Sequence, residues 1–186
     1  MQNSHKLSMM TMTALFAAII SVLAQLVIPL PLIPLTGQTF AIGLAGTILG
    51  SRHGLSATVL YVLMGCIGIP VFAQMTGGLG ILFGPTGGFI IGFIPATWLI
   101  GYYLEKTSFT FVQACIANLI GMVVTLAFGM IWLKFSANLS WTAAFLSSVA
   151  PFIVAGIVKA ILAAWIGIII RNRLAIANML PHAASS

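Results

Sequence analysis

Residues 151–170 read PFIVAGIVKAILAAWIGIII, and this stretch decides the fold. A 20-residue helix rises about 30 Å, which matches the hydrocarbon core of a bilayer. The stretch therefore predicts a membrane-spanning helix, and its one charged residue, Lys159, lies near the middle. A charge at that depth costs roughly 2.5–3.5 kcal/mol on the mildest insertion scale, so the ammonium group needs an acceptor.

No acidic side chain within the apolar stretches can pair with Lys159. Glu105 is the only Asp or Glu in the 186 residues, and it lies beside Lys106 at the end of another stretch. On a helix, Lys159 shares its face with mostly small residues. These residues are Ala155, Gly156, Leu162 and Ala163. An anionic ligand is the candidate acceptor, because a carboxylate forms a strong charge-assisted hydrogen bond; snorkelling to the interface and bonding to backbone carbonyls are the alternatives.

The composition excludes a water-soluble domain. The chain is 61% hydrophobic and 4% charged, and its mean hydropathy is +1.19, which is typical of an integral membrane protein. The net charge of +6 comes from seven basic residues against one acid. Most of these basic residues lie at the ends of apolar stretches, which is typical of membrane topology and does not indicate a nucleic-acid partner.

The sequence lacks the patterns that indicate chemistry in the chain itself. It has no GxxxxGK[ST] motif, no pair of acids and no Ser-His-Asp set, so we predict neither nucleotide hydrolysis nor catalytic residues. His5, His53 and His182 are far apart, so no metal site is predicted. Because no carboxylate lies within a segment to carry protons or sodium, the energy for uphill transport would have to come from another chain.

Hydropathy predicts an all-α protein with six membrane-spanning segments. They cover residues 9–29, 39–50, 54–69, 85–104, 109–133 and 150–170. This divides the chain into an N-terminal segment, 1–8, a membrane domain, 9–173, and a tail, 174–186. Six spans put both termini on one side. That side is predicted to be cytoplasmic because it collects most of the basic residues, whereas the other side has only Lys134. The basic residues of the cytoplasmic side are Lys6, Arg52, Lys106, Arg171 and Arg173.

The outer connections carry most of the candidate ligand-binding residues. They cover 30–38, 70–84 and 134–149, and they are long and almost uncharged. Prolines stiffen the first, which ends at Gln38 and is long enough to act as a lid. The candidates in the second connection are Gln74, Thr76, Gly77 and Gly78. Neutral polar groups can bond a small molecule, but each such side chain alone more often forms an interhelical hydrogen bond.

Residues 84–88, Gly-Pro-Thr-Gly-Gly, are expected to start the fourth segment. Gly84 suits the cap and Pro85 the first helical position. The free N–H groups of this helix end, with Thr86 and Gly87, would face the outer connections and could receive a carbonyl or an anion. The alternative is a plain helix start with glycines for close packing. Asn118, within the fifth segment, is a further candidate, with an interhelical hydrogen bond as its alternative role.

Six motifs occur in order along the chain. They are Gly37-Gln-Thr39, Gly46, Gly50-Ser-Arg-His-Gly54, Gly68-Ile-Pro-Val-Phe-Ala73, Gly77-Gly-Leu-Gly80 and Gly84-Pro-Thr-Gly-Gly88. Together they resemble the BioY family, the biotin-specific S components of energy-coupling factor (ECF) transporters. The similarity runs from about residue 29 to 106 and resumes at Pro151-Phe152 and Lys159.

The resemblance implies an S-component-like bundle of six transmembrane helices in a bacterial or archaeal plasma membrane, with cytoplasmic termini. It also implies a biotin pocket near the outer face, a transmembrane T component and two ATP-binding subunits as partners. ATP would be used only by those subunits, and no cofactor is expected in this chain. The small residues Ala14 and Ala18 suit close helix packing, either within the chain or with another subunit. Their spacing is similar to the S-component motif that docks on the T component, which favours the second alternative.

One position departs from the family pattern. The last motif usually reads Pro-Phe, then Pro-Gly-Asp, with a lysine three residues after the Asp, but here Gly156 stands where the acid is expected. Lys159 is unpaired for this reason. The ligand's polar head would then be held differently or less tightly, or the substrate would be a relative of biotin.

The sequence therefore predicts capture of biotin, or of a related small carboxylate, at the outer face of the membrane. In this hypothesis Lys159 pairs with the carboxylate; the opposite placement, with Lys159 at the ureido carbonyl, stays open. The ureido edge would be served by backbone groups of 77–80 and 84–88, with Gln38, Gln74 and Asn118. The alternatives are an S component for another small carboxylated vitamin, a stand-alone facilitator, a small membrane enzyme and a purely structural subunit.

Overall fold

The apolar stretch around Lys159 forms a helix. The structure is a computed structural model that describes residues 2–177 and 179, and the side chains from Leu7 onward. The helices are α1 (Gln2–Leu23), α2 (Gln38–Cys66), α3 (Gly80–Phe83), α4 (Gly87–Lys106), α5 (Phe111–Ser136), α6 (Trp141–Ser148) and α7 (Ile153–Ile176). Between them lie two short strands, β1 (Val27–Ile28) and β2 (Leu35–Thr36), and two 3-10 turns, Ala73–Met75 and Ala150–Phe152. The side chains of His5 and Lys6, and also His182 and most of the predicted tail, lie outside the described residues.

α2 consists of two antiparallel helices that meet at Gly50. Gly50 has φ +78° and ψ −172°, a conformation that glycine adopts without a steric penalty. The Gln38 side chain donates to the Tyr61 hydroxyl at 2.5 Å although 23 positions separate the two residues, so the chain reverses between them. The predicted second and third segments are therefore confirmed as separate helices. The connection predicted at 51–53 is wrong, because Gly50 alone makes the turn and those residues are helical.

The predicted all-α membrane bundle is confirmed. Three helical stretches of the described residues are long and apolar enough to cross a membrane, namely Gly87–Lys106, Phe111–Ser136 and Trp141–Ile176, which joins α6 and α7. α1 and the two halves of α2 correspond to the other three predicted segments. α2 packs against α1, α4 and α7, and α5 packs against α4 and α7.

The first segment ends earlier than the prediction of 9–29. α1 ends at Leu23, and β1 pairs antiparallel with β2. Ile28 precedes Pro29, and a residue before proline is disfavoured in the helical region. The strand pair therefore ties the end of α1 to the first outer connection.

The third outer connection, predicted over 134–149, is largely helical. α5 continues to Ser136 and α6 occupies most of the remainder. The Ser140 hydroxyl accepts a hydrogen bond from the backbone N–H of Ala143 at 3.2 Å, which caps the start of α6. The prediction of a loop is wrong here because Ser140 supplies a helix start that the apolar residues after it continue.

The only acidic side chain of the sequence joins α4 to the reversal in α2. Glu105 accepts hydrogen bonds from the backbone N–H and the hydroxyl of Ser51, at 2.7 and 2.6 Å, and so caps the second half of α2. Beside it, Arg171 donates to the carbonyl of Ile48, and its guanidinium carbon lies 3.4 Å from the centre of the Phe109 ring. These contacts gather α2, α4 and α7 at the end of the bundle that is predicted to be cytoplasmic.

Candidate functional site

A cavity of about 380 Å³ lies at the opposite end of the bundle, enclosed by α2, α4, α5, α7 and the outer connections. This volume is within the range of pockets that hold small molecules, about 300–1,000 Å³. Six of the residues predicted to bind a ligand line it. They are Gln38, Gln74, Thr76, Thr86, Asn118 and Lys159. The cavity therefore brings together residues that are as far as 121 positions apart, from Gln38 to Lys159 (159 − 38 = 121).

Three predicted glycines shape the backbone next to the cavity and do not line it. Gly78 has φ +102° and donates its N–H to the carbonyl of Gly65 at 2.7 Å. Gly77 lies so close to the carbonyl of Ile69 that a Cβ would clash with it. Gly87 donates its N–H to Gly84 at 3.1 Å. A ligand contact by these glycines stays a prediction.

The fourth segment starts later than predicted. Gly84 follows α3 as its C-cap, and α4 begins only at Gly87. The N–H groups of Gly87 and Phe89 donate to the carbonyls of Gly84 and Thr86, so these two donors at the helix end are not free. The prediction that Gly84 and Pro85 start the helix is wrong, because Gly84 ends the separate short helix α3 and α4 begins only after Thr86. Thr86 nevertheless lines the cavity.

Lys159 takes one of the alternative roles that the sequence allowed, because it bonds a backbone carbonyl, and its predicted contact with a ligand stays a prediction. Its Nζ donates to the backbone carbonyl of Thr36 at 2.6 Å and lies 3.5 Å from the hydroxyl of Thr39. The ammonium therefore has an acceptor within the chain, and it also lines the cavity. Because an ammonium carries three N–H donors, a donor remains for a ligand beside it.

A buried network holds the acceptor of Lys159 in place. The Thr36 hydroxyl donates to Gln38 Oε1 at 2.9 Å, and Gln38 Nε2 donates to the Tyr61 hydroxyl. Gln38 is only 7% exposed and Tyr61 is fully buried. The Gln38 amide thus serves mainly to fix the first outer connection. Sequence reasoning missed Tyr61, since nothing distinguishes it from the other aromatic residues of an apolar segment.

Asn118 lies on the wall of the cavity and uses its two ends differently. Nδ2 donates to the hydroxyl of Thr47 and to the carbonyl of Ala114, each at 2.9 Å. No described donor bonds its Oδ1, and no described side-chain oxygen or nitrogen is both buried and unbonded. Because Asn118 lines the cavity, Oδ1 is the candidate hydrogen-bond acceptor at this part of the wall. The predicted ligand contact and its alternative, an interhelical hydrogen bond, are compatible.

The two polar ends of the cavity are separated along its wall. Thr39, near Lys159, and Thr47, bonded to Asn118, are 47 − 39 = 8 positions apart on α2, which corresponds to about 12 Å of helical rise. Much of the remaining wall is apolar. It includes Ile42, Phe93, Met122 and Leu126. The cavity therefore offers a cation near the outer connections, an amide oxygen deeper in the bundle and apolar surface elsewhere.

The position where the family pattern has an acid also lines the cavity. Gly156 faces Met122, and a Cβ at Gly156 would clash with the Met122 thioether. Met122 thus occupies the space into which a longer side chain at 156 would project. No described carboxylate bonds Lys159, so this wall keeps its positive charge.

The first outer connection forms part of the cavity wall through Leu30–Thr36. Within this connection, Ile33 is buried. The pairing of β1 with β2 brings the two ends of the connection together. A lid function for this connection stays a prediction.

The small residues of α1, together with Ala24 directly after it, divide between two surfaces. Ala14 and Ala18 are exposed, whereas Ala17 and Ala24 are buried against the bundle. The exposed pair is available to another helix, and the buried pair serves packing within the chain. A partner on the exposed face stays a prediction.

The fold and the cavity define a membrane-embedded protein with a largely apolar cavity that carries one ammonium group, that of Lys159. The model of the BioY family matches residues 1–176. This chain belongs to the BioY family.

Several relatives share most of its length. The Biotin transporter BioY2 of Lactococcus lactis subsp. cremoris is 42% identical over 96% of this chain and 97% of its own. The Probable biotin transporter BioY of Pyrococcus horikoshii is 39% identical over 81% of this chain and 88% of its own. The crystal structure, at 2.1 Å, of the S-component for biotin from an ECF-type ABC transporter superposes with a TM-score of 0.86 at 30% identity, covering 92% of this chain and 95% of that one.

Proposed function

We propose that this chain captures biotin at the outer face of the membrane, as the substrate-specific subunit of an ECF-type uptake transporter. The observation that carries this function is the single ammonium of Lys159 on the wall of a largely apolar cavity, in a chain of the BioY family. Biotin has a carboxylate at one end, an apolar chain and ring in the middle, and a ureido group at the other end.

The polar groups of the cavity support one orientation of biotin. The carboxylate accepts a hydrogen bond from the remaining donor of Lys159, near the outer connections. The ureido group lies deeper, where Asn118 Oδ1 accepts from a ureido N–H. Apolar side chains such as Phe93 and Leu126 contact the ring and the chain between them, which removes their surface from water. Gln74, Thr76 and Thr86 are further polar groups that biotin can reach in the cavity.

The coupling to energy is assigned to other subunits. The chain has no phosphate-binding loop, so a transmembrane T component and two ATP-binding subunits supply the driving force, and only these subunits use ATP. α1 offers Ala14 and Ala18 as the surface for the T component. The chain acts as a binding subunit and not as an enzyme. It crosses the plasma membrane of a bacterium or archaeon several times, and both of its termini are cytoplasmic.

The test is biotin binding by the purified protein, measured by calorimetry, together with the mass of any ligand that co-purifies. We expect Lys159→Ala to weaken biotin binding by about 10- to 100-fold, because a hydrogen bond to a charged group is lost. Lys134→Ala is the matched control, since Lys134 contacts the rings of Phe135 and Trp141 outside the cavity. Equal affinity in the wild type and Lys159→Ala contradicts the proposal. A co-purifying carboxylate other than biotin would instead identify a different substrate.

A further inference from the structure

Gln25 lies two residues after the last residue of α1, and its side-chain amide bonds a segment that comes much later in the chain. Nε2 donates to the carbonyls of Val71 and Phe72, at 3.3 and 3.0 Å, and to the carbonyl of Ser21 at 3.1 Å. Oε1 accepts from the backbone N–H of Met75 at 2.9 Å. Because Nε2 carries only two N–H groups, two of these three carbonyls share one N–H. Both ends of the amide are therefore engaged, and they join the end of α1 to the second outer connection.

The segment that Gln25 holds has an unfavourable backbone. Gln74 and Met75 have φ angles of +59° and +55°, in the left-handed region that residues with a side chain seldom adopt. Such a conformation persists only where the surroundings impose it. Within the segment, Phe72 donates its N–H to the carbonyl of Thr76 at 3.0 Å. Besides apolar packing, the hydrogen bonds of Gln25 tie this turn to the end of α1.

The segment 72–76 forms part of the cavity wall, whereas Gln25 does not. Phe72, Ala73, Gln74 and Thr76 line the cavity. Gln25 lies behind them, with its amide directed at their backbone. Its effect on a ligand must therefore be indirect, through the position of these residues.

The end of α1 holds the first outer connection as well. β1 begins two residues after Gln25 and pairs with β2, and Gly37 donates its N–H to the carbonyl of Leu26 at 2.9 Å. β2 supplies the Thr36 carbonyl that accepts from Lys159. Residues 25–28 thus connect α1 to both outer segments that border the cavity.

We propose that Gln25 is a positioning residue that fastens residues 71–76 to the end of α1 and so keeps the cavity closed on this side. It slows release of the ligand without touching it. The effect on release rests on the function proposed above, whereas the fastening of the segment does not.

The test compares Gln25→Leu with the wild type in two measurements. Leu retains the bulk of the side chain and removes its hydrogen bonds. We expect hydrogen exchange at the backbone amides of 72–76 to become about ten-fold faster in the ligand-free protein, as the loss of one or more hydrogen bonds implies. We expect biotin dissociation to become faster by a similar factor, with exchange inside α4 and α5 unchanged.

Gln113→Leu is the matched control. Gln113 is also half-buried, and it accepts one side-chain hydrogen bond, from the Tyr103 hydroxyl at 2.8 Å, away from the cavity. We expect it to leave exchange at 72–76 and biotin dissociation as in the wild type. If Gln25→Leu and Gln113→Leu lower the melting temperature alike and neither changes exchange at 72–76, Gln25 is only structural and the proposal is overturned.

A second variant, Gln25→Glu, keeps the test decisive if Gln25→Leu does not fold. Glu retains an acceptor for the Met75 N–H but loses the donor to the carbonyls of Val71 and Phe72. Faster exchange at 72–76 supports the proposal, and unchanged exchange overturns it. Since exchange is measured without ligand, a wild-type protein that fails to bind biotin contradicts the proposed function and not the fastening by Gln25.

Discussion

Lys159 donates a hydrogen bond to the backbone carbonyl of Thr36, 123 positions earlier in the chain, over an Nζ–O distance of 2.6 Å. This bond joins α7 to β2 across the cavity wall. It lowers the cost of placing an ammonium within the bundle, because the group keeps an acceptor. It also fixes the direction from which a ligand can approach the remaining donor of Lys159.

The charge of Lys159 can be separated from its hydrogen bond by the variant Lys159→Gln. A glutamine amide can still donate to the Thr36 carbonyl, so we expect the protein to fold with a similar melting temperature. Biotin binding should weaken by about 10- to 100-fold, because the carboxylate loses a charged partner. Calorimetry with biotin and with its uncharged amide measures the effect. If Lys159 instead contacts the ureido group, the biotin amide binds the wild type as well as biotin does.

Asn118 and Thr47 provide a test of the deep end of the cavity. Asn118→Leu removes both the interhelical hydrogen bond and the candidate acceptor Oδ1, whereas Thr47→Val removes only the interhelical bond. We expect Asn118→Leu to weaken biotin binding by about 3- to 10-fold, as for a neutral hydrogen bond. Thr47→Val should lower stability by about 0.6 kcal/mol with little change in affinity. Equal biotin affinities in the two variants would show that Oδ1 does not bind the ligand.

Glu105 is expected to contribute to stability and not to binding. Glu105→Gln weakens the cap of the second half of α2, and we expect a loss of about 1 kcal/mol, typical of a helix cap. Thermal unfolding of Glu105→Gln, Ser51→Ala and the double variant measures the coupling between the two residues. Additive losses would mean that the bonds from Ser51 to Glu105 contribute little. Biotin affinity should stay at the wild-type value in all three variants.

The exposed small residues of α1 give a test of the partner surface. A variant with Ala14→Trp and Ala18→Trp places bulk where close helix packing requires small side chains. We expect it to bind biotin normally but to lose co-purification with the co-expressed T and ATP-binding subunits. Val123→Trp, at an exposed position of α5, is the control. Retention of the partners by the α1 variant would place the docking surface elsewhere, and their absence from the wild type would favour a stand-alone facilitator.

The sequence was sufficient for the membrane class, the six segments and six of the polar or charged residues that line the cavity. Hydropathy identifies a helix from residues close together in the chain, and the lone Lys159 stood out because every neighbour is apolar. Asn118, Gln74 and Thr86 were identified by being polar where apolar or glycine residues dominate. These features depend only on neighbouring residues in the sequence, so they can be recognised without knowledge of the tertiary structure.

The residue roles that the sequence did not reveal depend on contacts between residues that are distant in the chain. Gln25 was indistinguishable from a polar residue at a helix end, since its acceptors at Val71 and Phe72 lie 46 and 47 positions away. Tyr61 likewise acquires its role only through Gln38. The end of α1 was misplaced because apolar residues continue to Pro29, although that proline carried a local signal against a helix.

The reversal at Gly50 fixes the register between two walls of the bundle. One residue inserted there would rotate residues 51–66 by about 100° about their axis, since a helix has 3.6 residues per turn. Tyr61 would then turn away from Gln38 and no longer accept its hydrogen bond. The outer connection that bears Thr36, at the other end of the bundle, would lose this support. The length of this turn is therefore constrained by the geometry of the cavity, even though the turn lies at the other end of the helices and contributes no residue to the cavity wall.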